Sequence, residues 1–346
     1  MPDLPPRQDI AAAWLGRDLA ENADAWTVTL SAGDVAELEK AAAGARENTG
    51  PTRETFALPG LGETFALPGL GPVLADLRRE LIGGRGFVLI RGLEVERYSE
   101  TEIATLFSGL GSHIGHARSQ NGAGDILGHV LDVGADGSDT NARIYQTSER
   151  QTFHTDSCDV VGLICLRQAK SGGASMLVSA SSIYNAFLQK RPDLLSYLFD
   201  PIATDRRGEI PDGMKPYFEI PVFTWHRDHL NVMYQRQYID SAQRFDDAMR
   251  LTPKHIEALD LFDELANDPD LTLSMKLEPG DIQFVHNHSM LHDRMGFEDW
   301  PEPDRHRHLL RLWLSVPGDR PLPDCFAQRF GATTIGDRGG IVVSPG

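Results

Sequence analysis

Short apolar runs rich in branched and aromatic side chains recur along this chain, and turn signals separate them. Runs of this kind are typical of buried strands. Residues 174–178 follow a Gly172-Gly173 turn and are predicted to form a hairpin with residues 160–166. The predicted strands are residues 86–92, 143–147, 160–166, 174–178, 231–239, 280–285 and 308–314.

Apolar residues at helical spacing predict α-helices at residues 72–81, 180–198 and 252–266. Ser31 and Thr252 are start signals for helices, and the first 50 residues are predicted to form short helices. Helices therefore lie both ahead of the strands and between them. This order predicts an α+β fold with a mainly β core, either a β-sandwich or a jelly roll with flanking and inserted helices.

A His followed two positions later by an acidic residue occurs three times, beginning at His154, His226 and His255. On an extended strand such residues point the same way and can share a metal ion. The His255 match lies in a predicted helix, where residues two apart diverge by about 200°. The His226 match is followed by no clear strand. His154 and Asp156 lead directly into the 160–166 strand and are the predicted ligands.

A third ligand is expected from a distant histidine, and His286, His288 and His292 are close together in the sequence. Two imidazoles and one carboxylate with open positions suit non-heme Fe(II) and oxygen chemistry. The three downstream histidines together would instead suit a zinc site. The residues alone leave both sites open.

Composition excludes several classes of function. A formal net charge of −17 and a pI near 5.1 argue against a nucleic-acid or anionic-membrane surface, which needs a dense basic face. Cys158, Cys165 and Cys325 have no paired metal spacing and are expected to be reduced thiols. Neither a signal peptide nor a membrane-spanning run is visible, so we expect a cytoplasmic protein.

Residues 54–62 and 63–71 repeat the same nine residues, ETFALPGLG. A repeat fold needs three or more units, so this pair is too short to form one. The Pro-Gly steps mark turns, and surface loops tolerate insertions at little cost in free energy. We interpret the duplication as a tolerated loop insertion.

Taken together, six sequence blocks resemble the Fe(II)/2-oxoglutarate-dependent oxygenases of the taurine dioxygenase and clavaminate synthase superfamily. They occur in the family's order and span roughly residues 75 to 320. The blocks are residues 86–92, Phe153-His154-Thr155-Asp156-Ser157, Gly172-Gly173-Ala174-Ser175, Pro279-Gly280-Asp281-Ile282-Gln283, Leu291-His292-Asp293-Arg294 and Arg307-His308-Leu309-Leu310-Arg311.

This resemblance implies a double-stranded β-helix in which His154, Asp156 and His292 hold Fe(II). Arg307 matches the family's 2-oxoglutarate arginine, because a guanidinium offers paired donors to a carboxylate. Ser175 matches the hydroxyl that contacts the same cosubstrate. Arg311 would help to bind the cosubstrate or an acidic group of the main substrate. On a strand, Arg307 and Arg311 face the same side as Leu309 and Trp313.

The resemblance also implies the reaction, which is hydroxylation of an unactivated C–H bond with release of succinate and CO2. Asp156 argues against a halogenase, in which a small residue replaces the carboxylate. Desaturation and ring formation stay open. The alternative is a jelly-roll protein that binds ligands without turnover.

The predicted organisation is an N-terminal helical and loop segment (1–74) packed on an oxygenase domain (75–325), with a C-terminal tail (326–346). An insert at about 182–268 would form the substrate pocket. Within it Tyr234, Arg236 and Tyr238 alternate, either as a polar aromatic face of that pocket or as an exposed strand face. The expected partner is a small molecule, amino-acid-like or carboxylate, and a homo-oligomer is left open.

Overall fold

A computed structural model describes residues 4–49, 65–134 and 146–341. The α-helices within these ranges are α1 (Gly16–Ala20), α2 (Ala32–Thr49), α3 (Gly71–Gly83), α4 (Glu100–Ser112), α5 (Ala180–Lys190), α6 (Pro192–Leu195), α7 (Arg236–Ala242), α8 (Pro253–Ala266) and α9 (Ala327–Phe330). The strands are β1 (Thr27–Thr29), β2 (Phe87–Arg91), β3 (His116–Arg118), β4 (Leu127–Val130), β5 (Gln151–His154), β6 (Val160–Arg167), β7 (Ser171–Gly172), β8 (Ser175–Ser179), β9 (Ile202–Asp205), β10 (Tyr217–Ile220), β11 (Phe223–His226), β12 (His229–Val232), β13 (Thr272–Met275), β14 (Ile282–His286), β15 (Met290–Arg294), β16 (Phe297–Glu298) and β17 (His308–Ser315).

The larger of the two main sheets has the strand order β1-β2-β14-β6-β17-β3, and β4 also pairs with β17. The smaller has the order β13-β8-β15-β5. Apart from the parallel β1–β2 pair, the neighbouring strands of both sheets run antiparallel. The structure is therefore a mixture of helices and a mainly β core, as predicted.

The two-residue period of each strand divides its side chains between two layers. On β17, Leu310 and Leu312 pack outward against the apolar side of α3 and α4, which contributes Leu74 and Phe107. Trp313 points the other way, into a core shared by both sheets. The functional residues of β17 therefore face the space between the sheets.

The outer face of the smaller sheet is covered by helices of the predicted insert. Val178 and Leu291 of this sheet pack with Phe187 of α5 and with Leu259 and Phe262 of α8. Thr252 begins α8 as a side-chain cap, because its hydroxyl accepts a hydrogen bond from the backbone N–H of His255. This packing holds the smaller sheet, and the strands β5 and β15 within it, against the rest of the protein.

Four sequence predictions need correction. The first 50 residues do not form only short helices, because Thr27–Thr29 is a strand and Ala32–Thr49 is one helix of 18 residues. The hairpin between residues 160–166 and 174–178 is wrong, because β6 pairs with β14 and β17 while β8 pairs with β13 and β15 in the other sheet. Residues 180–198 do not form one helix, since Pro192 begins a separate helix after α5. Residues 231–239 are strand only as far as Val232 and become helical at Arg236.

Several predicted features lie partly or wholly outside the described residues. They include the first nonapeptide copy, the start of the second copy, and residues 143–145 of one predicted strand. No helix in the described part of the chain has the length and apolar character that crossing a membrane requires. Within the predicted C-terminal tail, residues 339–341 pack back on the body of the protein through backbone hydrogen bonds with Phe330, Ser157 and Ser119.

A fully buried network of charges fixes this C-terminal segment. The guanidinium of Arg338 donates to Asp159 over 2.7 Å and to Asp319 over 2.9 Å. His288 donates to the same Asp159 carboxylate over 2.8 Å, and His286 lies 3.1 Å from Asp319. Burial lowers the pKa of His286 to about 4, so it is neutral at physiological pH. Arg338 thus pairs with two buried carboxylates, Asp159 before β6 and Asp319 after β17, and the nearby Arg320 adds a second positive charge.

Replacing Arg338 with Met should lower the free energy of unfolding by about 3–5 kcal/mol, because two buried carboxylates lose their shared counter-charge. Urea unfolding at pH 7.5 measures this. The matched control is Arg7→Met, which breaks an exposed Arg–Asp pair and should cost less than about 1 kcal/mol. Equal losses for the two variants would contradict a central role for the network.

Candidate metal centre

The centre is built on one cross-strand pair. β15 and β5 run antiparallel in a register that places His292 directly opposite His154. Residues opposite each other on antiparallel strands have close side chains. The two imidazole rings are 4.1 Å apart between centroids, and both are largely buried. Two histidines 138 positions apart in the sequence are thus neighbours because of strand pairing.

Asp156 follows the end of β5 and turns its carboxylate toward both rings. One of its oxygens lies 3.9 Å from Nε2 of His154, and the other lies 3.7 Å from Nε2 of His292. Its backbone N–H donates to the side chain of Asn287, which fixes the turn after the strand. The potential ligand atoms of the three residues all lie within 4.8 Å of one another. The structure therefore brings the three predicted ligands together.

Hydrogen bonds around the centre orient these ligands. Nδ1 of His154 lies 2.9 Å from the carbonyl oxygen of Thr152, an acceptor, so Nδ1 carries the proton and Nε2 keeps its lone pair. The indole N–H of Trp313 donates to Asp156 over 2.9 Å. Gln151 places its amide nitrogen 3.0 Å from Nε2 of His154, beside the position that a metal ion would take.

The protonation states also suit metal binding. Burial, and then the proximity of His154, lowers the pKa of His292 to about 3. Burial likewise lowers the pKa of His154. Burial opposes ionisation of Asp156, but the positive charge of Arg311 and the hydrogen bond from Trp313 help to keep the pKa of that carboxyl below its ordinary value. Near pH 7 the centre thus offers two neutral imidazoles and one carboxylate, a donor set that suits Fe(II) with open positions.

The competing His-x-acid motifs have structural roles. His226 ends β11 and leads into a tight turn in which Arg227 and Asp228 both have positive φ. His255 lies in the first turn of α8 and belongs to the capping box with Thr252. Neither motif belongs to a cluster of potential metal ligands within the described ranges.

The zinc site predicted from the three downstream histidines does not form. His286 lies against Asp319, His288 against Asp159, and His292 against Asp156. β14 ends at His286, and the chain then reverses into β15, which separates His292 from the other two. The zinc alternative with all three histidines is therefore not favoured, because His292 clusters with His154 and Asp156 while His286 and His288 cluster with Asp319.

Two cavities meet at the centre, and both are lined by Gln151, His154 and Arg311. We call the first the arginine chamber. It lies between the sheets, its polar wall includes Ser175, His292, Arg294 and Arg307, and its apolar wall consists of Val130, Val161, Leu163, Leu277 and Leu309.

Arg307 is the most informative side chain of the arginine chamber. It is only 6% exposed, and burial lowers its pKa from the ordinary value without removing its charge. Its Nη1 has no hydrogen-bond partner among the described residues. Gly173 adopts a positive φ of +71°, and a Cβ there would lie 3.2 Å from Nε of Arg307. A buried guanidinium with an unsatisfied donor, next to a backbone without a side chain, indicates a site for an anion.

Sequence reasoning missed Arg294 in this chamber. Its guanidinium donates to the carbonyl oxygens of Thr147 and Glu149, and burial together with nearby Arg307 lowers its pKa to about 10. Arg294 follows His292 by two positions on β15, and residues two apart on a strand face the same side. The reasoning that groups Arg307 with Arg311 could therefore have predicted that Arg294 faces the chamber. The chamber thus holds three arginines.

The other cavity is the aromatic chamber, which is lined by Asp156 as well as His154. Its wall includes Phe218, Tyr234, Tyr238 and Trp313, together with Gln235 and Arg329. Much of this wall comes from the predicted insert and from α9.

Tyr234, Arg236 and Tyr238 do not share one strand face. The hydroxyl of Tyr234 donates to Asp263 and its ring packs against Phe262, while the residue also lines the aromatic chamber. Arg236 begins α7 and forms ion pairs with acidic residues, including Asp263, outside the chamber. The two tyrosines therefore contribute to the chamber and the arginine between them does not.

Comparisons with known proteins agree with this geometry. Residues 52–313 match the family model described as taurine catabolism dioxygenase TauD, TfdA family. The chain is 34% identical over 318 residues to FR-33289 synthase of Streptomyces rubellomurinus, an alignment that covers 89% of this chain and 90% of the relative. It is also 34% identical over 329 residues to the taurine hydroxylase-like protein SAT17 of Stachybotrys chartarum. This alignment covers 88% of this chain and 81% of the relative.

Solved structures with similar folds are oxygenases. An asparagine oxygenase in complex with Fe(II), 2S,3S-3-hydroxyasparagine and succinate aligns with a TM-score of 0.66 at 18% identity, covering 84% of this chain and 93% of the other. The non-heme iron oxygenase OrfP in complex with Fe and alpha-ketoglutaric acid aligns with a TM-score of 0.62 at 14% identity. This alignment covers 83% of this chain and 93% of the OrfP chain. At these identities the likeness establishes the fold.

Replacing Trp313 with Phe should weaken binding of a divalent metal about 10- to 100-fold, because Asp156 loses the donor that orients it. Anaerobic titration calorimetry with Fe(II) measures the affinity. Trp300→Phe is the control, since that indole contacts Arg305 and lines neither chamber. Unchanged affinity in the Trp313 variant would show that the indole does not support the metal ligand.

Proposed function

Because this chain belongs to the taurine catabolism dioxygenase TauD/TfdA family, it is a dioxygenase that uses Fe(II) and 2-oxoglutarate, and we propose that His154, Asp156 and His292 hold the iron. The observation that supports this assignment best is the cross-strand histidine pair with Asp156 beside it, located where two chambers meet. A centre with one chamber on each side can bind two different reactants next to the same metal.

The arginine chamber suits 2-oxoglutarate. Arg307 would hold the distal carboxylate, because its buried guanidinium carries an unsatisfied donor. Ser175 lines the same chamber and would add a hydroxyl contact. The apolar wall between these residues and His292 would enclose the methylene groups of the cosubstrate. Arg294 adds a second positive charge near the distal carboxylate, and Arg311 lies between this chamber and the metal ligands.

When bound, Fe(II) and 2-oxoglutarate supply the oxidation, in which O2 and the keto acid yield succinate, CO2 and one oxygen atom inserted into a substrate C–H bond. The residues of the chain determine where this happens. Thr152 and Trp313 hold the imidazole and carboxylate ligands in fixed orientations. Arg311 keeps Asp156 ionised. The aromatic chamber positions the main substrate and limits its contact with water.

We also propose that the two facing sheets form the double-stranded β-helix implied by the resemblance. Support comes from the shared core between them and from the position of the centre inside that space. The cytoplasmic location and the domain boundaries at residues 74, 182–268 and 325 remain predictions from the sequence.

The main substrate is proposed to be a small amino-acid-like or carboxylate molecule. Structural neighbours were solved with hydroxyasparagine and with hydroxy-L-Arg. The alternative of a jelly-roll protein that binds without turnover is not favoured, because the three ligands and Arg307 are all present and close to one another.

Purified protein with Fe(II), ascorbate and 2-oxoglutarate should form succinate slowly even without the main substrate. His154→Ala and Asp156→Ala should reduce succinate to the background of the metal alone, because each removes one of three ligands. Chromatographic quantification of succinate measures this. The matched controls are His226→Ala and Asp228→Ala in the competing motif, which should retain wild-type rates. Turnover that survives loss of Asp156 would contradict the ligand assignment.

Arg307→Gln should raise the KM for 2-oxoglutarate about 10- to 100-fold, since a charge-assisted pair contributes about 1.5–3 kcal/mol. Fe(II) affinity in the absence of cosubstrate should stay within about twofold of wild type. Arg305→Gln, an exposed arginine two positions earlier, is the control. An unchanged KM for Arg307→Gln would place the distal carboxylate elsewhere.

A further inference from the structure

A separate cluster of potential metal ligands lies on the outer face of the larger sheet. It consists of Glu100, His129 and His308, whose potential ligand atoms all lie within 4.8 Å of one another. None of these three residues lines the arginine chamber or the aromatic chamber. The cluster therefore has no part in the proposed iron centre or in the cavities beside it.

Strand pairing and helix packing bring the cluster together. His308 begins β17 and has the parity of Leu310 and Leu312, which pack outward from the sheet. His129 lies on β4 directly opposite Leu310, and so next to His308 on the same face. Glu100 is the first residue of α4, the helix that packs on this face. Three separate elements thus contribute one side chain each.

The distances between these side chains suit a small tetrahedral ion. Nδ1 of His129 lies 2.9 Å from Nε2 of His308 and 3.7 Å from one carboxylate oxygen of Glu100. Zn²⁺ binds nitrogen and oxygen at about 2.0–2.2 Å, so two of its tetrahedral ligand atoms lie about 3.3–3.6 Å apart. One measured separation is shorter than this range and the other is slightly longer. Small side-chain rotations would therefore place both around one ion.

The hydrogen bonds show that both imidazoles are neutral. Nη2 of Arg167 donates to Nδ1 of His308 over 3.1 Å, so the ring proton of His308 is on Nε2. That N–H donates to Nδ1 of His129, whose lone pair is therefore directed into the cluster. His129 can bind a metal as it stands, whereas His308 must first change its tautomer.

This change would move the proton of His308 from Nε2 to Nδ1, with water as the carrier. Nη2 of Arg167 would then withdraw from the ring, while Nε of Arg167 keeps its hydrogen bond to the carbonyl oxygen of His306. No proton is gained or lost by the protein. Arg167 thus competes with a metal ion for His308.

The cluster is open to solvent on one side. The side chains of Glu100 and His129 are 52% and 49% exposed, whereas His308 is buried. An ion can enter from this side, and water can take the fourth position. Imidazole ligands favour transition ions such as Zn²⁺, Co²⁺ and Ni²⁺ over Mg²⁺ and Ca²⁺.

We propose that Glu100, His129 and His308 form a second metal site, which binds a divalent transition ion such as Zn²⁺. The bound ion joins β4, β17 and the start of α4, so its role is to stabilise this side of the larger sheet. The inference does not rest on the proposed function, because it uses none of the residues of the iron centre.

The test uses the full chain with His154→Ala and Asp156→Ala, which leaves only His292 of the iron centre. Calorimetric titration of this background protein with ZnCl2 should show saturation at one Zn²⁺ per chain. His129→Gln and Glu100→Gln should each raise the dissociation constant at least about 10-fold, since loss of a residue that merely supports a ligand already costs that much. No saturable binding in the background protein would overturn the site.

Both substitutions are at exposed side chains, and Glu100→Gln leaves the capping box of Ser99 and Glu102 at the start of α4 in place. The matched control is His226→Gln in the same background, because His226 belongs to no cluster of potential ligands within the described ranges. It should bind Zn²⁺ like the background protein. Equal affinities of His129→Gln and His226→Gln would place the ion elsewhere and overturn the assignment.

Arg167→Gln tests the competition for His308. It should tighten Zn²⁺ binding about two- to tenfold, because the site loses a competing donor and a nearby positive charge. Arg250→Gln, an exposed arginine, should leave the affinity unchanged. Weaker binding in Arg167→Gln would contradict the tautomer change and the ligand role of Nε2.

Thermal unfolding tests the stabilising role. Saturating Zn²⁺ should raise the midpoint of the background protein, since the ion binds the folded chain, and it should leave His129→Gln unchanged at the same concentration. One Zn²⁺ bound without any rise in the midpoint would contradict a role in joining the three elements.

Discussion

The register between β5 and β15 is the constraint on which the centre depends. It places His154 opposite His292, and a slip of one residue would turn one imidazole to the other face of the sheet. The outer packing of α5 and α8 on this sheet, and the shared core on its inner side, hold that register. Asp156 then needs only the turn after β5 to complete the donor set. The chemistry follows from strand pairing more than from any local motif.

The buried arginines of this protein have two different roles. Arg338 forms ion pairs with Asp159 and Asp319 away from the chambers, and these pairs fix the segment after β17. Arg307 forms no ion pair with a carboxylate in the described part of the chain, and it lines the arginine chamber. Nη1 of each arginine has no hydrogen-bond partner among the described residues, so the difference lies in the two carboxylate partners of Arg338 and in the cavity beside Arg307. The contrast between these two arginines separates structural from functional positions.

Structural features that arise from a local sequence pattern can be predicted from the sequence. The 160–166 strand, the start of α8 at Thr252 and the shared face of Arg307 and Arg311 all rest on periodicity or capping, and the structure contains them. The amino-acid sequence alone does not indicate which strands pair with each other. The wrong hairpin between residues 160–166 and 174–178 arose because short connections favour local pairing, while the two strands are in different sheets. The roles of Arg294, Trp313 and Arg338 depend on contacts with distant residues and leave no local signal.

The whole mechanism requires that one metal ion binds between His154, Asp156 and His292 with 2-oxoglutarate beside it. Anaerobic titration of the protein with Fe(II) and then 2-oxoglutarate, followed by absorption spectroscopy, tests this requirement most directly. We expect a weak visible charge-transfer band that saturates at one iron and one 2-oxoglutarate per chain and is lost in Asp156→Ala. Correctly folded wild-type protein that binds Fe(II) without developing the band would contradict it.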